Sequence, residues 1–114
     1  MKRYCLTLDL RDDPQMIREY KQYHEKISTD IKESIYAGGI LNMQIYLVGN
    51  RMFMIMETED DFSFERKAML DAANPKVQIW ENLMWKYQQT LPMSKPGEKW
   101  ILMEKMFDLK EQPE

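Results

Sequence analysis

Leu41-Asn42-Met43-Gln44-Ile45-Tyr46-Leu47-Val48-Gly49-Asn50-Arg51-Met52-Phe53-Met54-Ile55-Met56-Glu57 holds two apolar runs on either side of one glycine. Leu41, Met43, Ile45 and Leu47 alternate with other residues, the period of a strand with one apolar face. Gly49-Asn50 follows, and Met52 to Glu57 continues beyond it. Two strands around a two-residue, glycine-containing turn read as a β-hairpin. The second strand is apolar on both faces. An antiparallel sheet can leave one face to water, so an apolar second face predicts that something covers it. A second subunit is the simplest cover.

Working outward, Tyr4, Leu6, Leu8 and Leu10 alternate with Cys5, Thr7 and Asp9, which predicts a further strand over Tyr4 to Leu10. Asp13-Pro14 reads as a helix cap followed by proline at the first helical position. Ile17, Tyr20, His24, Ile27, Ile31 and Ile35 then recur every three or four residues, the stripe of one amphipathic helix about 33 Å long. Gly38-Gly39 ends it. Beyond the hairpin, Phe62 to Ala72 reads as a short helix capped by Asp61. Asn74-Pro75 restarts a second helix, with Val77, Trp80, Leu83, Met84 and Tyr87 on its apolar face. Pro92 to Gly97 is a loop, Trp100 to Leu109 the last strand, and the polar tail from Lys110 to Glu114 is expected to fray. The order is strand, helix, strand, strand, helix, strand. That is the split βαβ pattern of a ferredoxin-like α+β fold, an antiparallel sheet with helices on one face. Two such sheets face to face make a dimeric α+β barrel.

The chain has 114 residues, which fits one domain. Its net charge of −3 comes with scattered Lys and Arg, so nothing marks a nucleic-acid surface. No apolar run is long enough to span a membrane, and without an n-region followed by an apolar h-region no signal peptide is expected. One cysteine, Cys5, cannot close an internal disulfide, which predicts a reducing, cytoplasmic setting. Eleven methionines suit an adaptable core.

His24 is the one histidine. A satisfied core group and a proton shuttle both fit its place on the apolar stripe. Its ordinary pKa of about 6.5 suits proton transfer near neutrality. Tyr20 lies one turn earlier on the same face, so the two side chains can reach one ligand. With no second histidine, no HExxH and no paired cysteines, no metal site is expected, and no glycine-rich phosphate loop is present. Trp80, Trp85 and Trp100 offer faces on which sugar C–H groups stack, or simply pack the core. Glu57 and Glu104 could bind hydroxyls or be solvated.

The run Glu19-Tyr20-Lys21-Gln22-Tyr23-His24 resembles the E-Y-x-x-x-H segment of the L-rhamnose mutarotase family. Asn42-Met43-Gln44-Ile45-Tyr46-Leu47 is similar to its N-x-x-I-Y-L segment. Phe53-Met54-Ile55-Met56-Glu57 resembles its third strand, and Val77 to Trp80 and Leu102-Met103-Glu104 before Phe107 also fit. The likeness is colinear from Tyr4 to Leu109. It implies a homodimeric ferredoxin-like fold and an isomerase that interconverts the α and β anomers of a deoxyhexose such as L-rhamnose, without cofactor. The family's catalytic histidine falls on His24 and its substrate-binding helical tyrosine on Tyr20. A further substrate tyrosine falls on Met43, and a tryptophan pair on Ile79 and Trp80. Where the family commonly has W-P-E, Ser28-Thr29-Asp30 stands. Some relatives of this kind act on L-fucose, and Met43 and Ile79 point the same way. Two other readings share the fold pattern. One is a cofactor-poor monooxygenase or haem-handling protein using His24; the other is a non-catalytic sugar-binding module.

Overall fold

The computed structural model describes residues 1–113. Strand β1 spans Lys2–Leu10. Helix α1, Pro14–Glu25, starts where Asp13 accepts hydrogen bonds from the backbone N–H groups of Gln15 and Met16 at 2.9 and 3.1 Å. Helix α2 spans Thr29–Ala37, and strands β2 and β3 span Ile40–Val48 and Arg51–Thr58. Helices α3 and α4 run over Phe64–Ala72 and Pro75–Trp85, followed by two short strands, β4 at Gln88–Gln89 and β5 at Ile101–Leu102.

The sheet is antiparallel, in the order β2-β3-β1-β4, with β5 also pairing with β1. Thus β1 and β3 lie at the centre, in a register that sets Leu6 opposite Met54 and Leu8 opposite Met52. The hairpin turns through Gly49, whose φ of 59° is the left-handed conformation that glycine adopts freely. Its neighbour Asn50 clasps the end of β1. Leu10 N–H donates to the Asn50 carbonyl at 2.7 Å, and the Asn50 amide donates to the Leu10 carbonyl at 3.0 Å.

Alternation sorts the side chains as the period-2 pattern requires. Leu6, Leu8, Leu10, Met52, Met54 and Met56 are buried beneath the helices. There they form two clusters, one with Tyr20, Met84 and Tyr87, the other with Ile40 and Phe62. The opposite face has no helix on it. Cys5, Phe53 and Ile55 are half-buried there, and Tyr46 and Val48 are exposed. No helix among the described residues is long and apolar enough to cross a membrane.

The structure corrects four local expectations. The single long helix is two, because Lys26 and Ser28 are extended and the Ser28 hydroxyl caps α2 by accepting from Ile31 N–H. Serine favours such a cap because its oxygen competes for backbone N–H groups. Ser63, not Asp61, caps α3, accepting from Arg66 N–H at 3.1 Å. The last strand pairs only at Ile101 and Leu102, with one more bond from Met103 N–H to the Cys5 carbonyl. Gln88 and Gln89 take up the neighbouring part of the β1 edge, at Asp9 and Leu10. The tail forms a 3-10 turn at Leu109–Glu111 rather than fraying there, and Glu114 lies outside the described residues.

Candidate active site

Helix α1 brings Tyr20 and His24 together one turn apart, their ring centroids 4.4 Å from each other. The His24 Nδ1 lies 2.8 Å from the Tyr20 carbonyl oxygen. A carbonyl can only accept, so Nδ1 carries the proton and the lone pair of the neutral ring sits on Nε2. The edge of the Trp80 indole, from α4, meets the imidazole at 5.4 Å between centroids. These two contacts hold the ring plane while leaving Nε2 for chemistry.

Tyr20 is buried, and its hydroxyl accepts from the Gln88 side-chain amide at 3.2 Å. Burial pushes its pKa up, and the Gln88 hydrogen bond works in the other direction. The phenol therefore stays protonated at neutral pH. With Gln88 occupying a lone pair, the single Tyr20 O–H is directed elsewhere and can donate to a ligand. Behind Tyr20, the Tyr87 hydroxyl donates to the Glu19 carboxylate at 3.1 Å. Burial first, then the bonds to Glu19 and Tyr23, push the Tyr87 pKa up to about 12.

A cavity of about 580 Å³ lies between the helices and the sheet. That is within the range of roughly 300–1,000 Å³ usual for small-molecule sites. Tyr20, His24, Met43 and Trp80 all line it. A second recess of about 420 Å³ shares His24, Ile27, Ile35 and Met43 with it. Ile79 does not line either: it is 70% exposed on the outer side of α4. Successive helical residues lie about 100° apart, so a helix that turns Trp80 inward turns its neighbour out. Trp100 and Lys99 also line the cavity; Trp85 does not, though Lys99 Nζ lies 4.7 Å from its ring centroid. Glu57 faces Arg3, and Glu104 is exposed.

Six polar lining residues carry no local sequence signal: Ser34 from α2, Lys67 and Asp71 from α3, Glu81 from α4, Gln88 from β4, and Lys99 before β5. Only the spacing of Lys67 and Asp71, four apart, hints that they pair. Among the described residues, no three His, Cys, Asp or Glu side chains gather as metal ligands would.

The sequence pattern of a family described as L-rhamnose mutarotase matches residues 3–109. The chain belongs to that family. Mutarotases are isomerases that interconvert sugar anomers. An L-fucose mutarotase from Xanthomonas campestris pv. campestris is 38% identical over 113 residues, covering 97% of this chain and 90% of that protein. Among solved structures, an L-rhamnose mutarotase from Formosa agariphila superposes with a TM-score of 0.69 at 20% identity, over 96% of this chain and 99% of that one. A dimeric ferredoxin-like protein from an uncultured marine organism superposes with a TM-score of 0.53 at 15% identity, over 75% and 76%. These two share the fold of this mutarotase-family chain, an antiparallel α+β sandwich of ferredoxin-like type.

Proposed function

We propose that this chain is a deoxyhexose mutarotase that opens and recloses the pyranose ring of L-fucose or L-rhamnose at its anomeric carbon. His24 Nε2 takes the proton from the anomeric hydroxyl as the C1–O5 bond breaks. The Tyr20 hydroxyl, or a water it holds, protonates the ring oxygen. Rotation of the freed aldehyde and the reverse steps give the other anomer, with protons returned to both groups. General acid–base catalysis of this kind contributes about 10²- to 10⁴-fold.

The observation that carries the reading is the Tyr20–His24 pair. An imidazole whose Nδ1 is tied to a backbone carbonyl faces a cavity of sugar size beside a protonated phenol. Trp80 and Met43 supply walls for the ring's C–H groups and its methyl. The family membership and the 38% identity to an L-fucose mutarotase support the same reaction.

We further take the working form to be a homodimer joined through the open sheet face, in keeping with the half-buried Phe53 and Ile55 there. The lone Cys5 suits a cytoplasmic enzyme. Saturation-transfer NMR of anomer exchange, run side by side on L-fucose and L-rhamnose, tests the reaction. Exchange above the spontaneous rate is expected. Binding without added exchange would instead mark a sugar-binding module.

A further inference from the structure

Lys67 and Asp71 form an ion pair one turn apart on α3, with only 14% and 19% of their side chains exposed. Both line the cavity that holds His24, amid Ile35, Met54 and Met56. The Lys67 stem lies against Gly38, where any Cβ would collide with it. Glycine at that point lets the lysine pass over the end of α2 to reach its partner. The ion pair uses one ammonium donor and one carboxylate oxygen, so the donors and acceptors that remain on Lys67 and Asp71 can hydrogen-bond a polyol in the cavity.

The pair and His24 enter the cavity from different helices, α3 and α1. Helix α4 bridges them. Its Trp80 packs on His24, and its Gln78 side-chain amide donates to the Asp71 carbonyl at 2.8 Å. On a pyranose with its anomeric carbon at His24, carbons C3 and C4 form the far side of the ring, the part free to reach another wall of the same cavity. We propose that Lys67 and Asp71 are the specificity determinants of this site, binding the C3 and C4 hydroxyls of a 6-deoxy sugar of galacto configuration such as L-fucose. The ammonium donates to one hydroxyl oxygen, and the carboxylate accepts from the neighbouring hydroxyl.

The galacto configuration suits the rest of the lining. Its axial C4 hydroxyl leaves the C–H groups of C3, C4 and C5 together on the opposite ring face, an apolar patch suited to Trp80 or Trp100. L-Rhamnose carries its axial hydroxyl at C2 instead, and its C4 hydroxyl is equatorial. It offers no such separation of polar and apolar groups at the far side of the ring.

This inference rests on the mutarotase reading above, and the test separates the two. Catalysed anomer exchange is measured by saturation transfer for L-fucose and for 6-deoxy-L-glucose, which differs from it only at C4. Wild type should favour L-fucose in kcat/KM by about tenfold or more, the effect of one hydrogen bond to a charged group. The double variant Lys67→Met/Asp71→Leu replaces both charges with apolar groups, a change that buried ion pairs often tolerate. It should lose the preference mainly through a higher KM for L-fucose, with a smaller rise for 6-deoxy-L-glucose, which keeps the C3 hydroxyl but lacks the axial one at C4. Should it not fold by circular dichroism, Asp71→Asn is read in the same way. A wild type without the C4 preference, or a folded variant that keeps it, overturns the specificity assignment and leaves the mutarotase reading standing. A wild type that exchanges neither of these sugars nor L-rhamnose overturns both.

Discussion

His24 owes its proposed role to the tie on its other nitrogen. The Tyr20 carbonyl holds Nδ1 at 2.8 Å, which fixes the tautomer as well as the ring plane. Neighbouring groups divide the work by polarity. Met43, on β2 opposite Met56, faces the cavity with a thioether, a weak acceptor with no proton to give. A substrate hydroxyl aimed there loses a partner, at a cost of about 1–3 kcal/mol. Met43→Tyr should therefore shift the ratio of exchange rates toward L-rhamnose, and an unchanged ratio in the folded variant would show that Met43 does not touch the sugar. Tyr87 gives a pH signature. Its pKa is raised in the folded state, so its contribution to stability is complete below the ordinary value of 10.0 and is lost as pH climbs through about 12. Urea titrations across that window should show a shallower decline for Tyr87→Phe than for wild type.

The elements that carry strong periodicity or a chemical cap were legible before the structure. The strands β1, β2 and β3 follow from alternation, the cap at Asp13 from a side chain that accepts backbone N–H groups, and the start of α4 from Asn74-Pro75. The gap between α1 and α2 was not legible, because Ile27 and Ile31 keep helical spacing across it. The break costs no burial: Ile27 still lines the cavity and Ile31 is still buried. Likewise β4 is too short to show a period, so Gln88 carried no sign of its bond to Tyr20, a residue 68 positions away. Lys67 and Asp71 offer the sequence only a helical spacing of four, with nothing in it to set them on the cavity wall. Because α1 holds both Tyr20 and His24, its start matters to the site. Asp13→Ala removes two capping hydrogen bonds and should cost about 1 kcal/mol, measured as a lower urea midpoint at unchanged slope. A midpoint equal to wild type would show that Pro14 alone suffices to start the helix.

The assembled chain buries one sheet face under four helices and leaves the other bare. Phe53 and Ile55 of the central strand lie on that bare face, with Tyr46 57% exposed beside Phe53. Such apolar surface usually marks an interface. Asp9 and Arg51 add a bidentate ion pair on the same face, at 2.8 and 3.1 Å. Sedimentation should show a dimer at micromolar concentration. Ile55→Lys, which sets a charge in the middle of the face, should give a monomer with wild-type far-UV circular dichroism. A wild type that stays monomeric would contradict the dimer, while leaving the helix-side cavity and its chemistry as described.

The most direct test of the account is catalysed anomer exchange in His24→Asn. Saturation-transfer NMR on L-fucose reads the rate without a coupled enzyme, and circular dichroism on the same sample reports the fold. The variant should fold, and its exchange should fall to the spontaneous rate. A folded variant that exchanges anomers as fast as wild type would contradict the role of His24, the chain's one imidazole and the group assigned the first proton transfer.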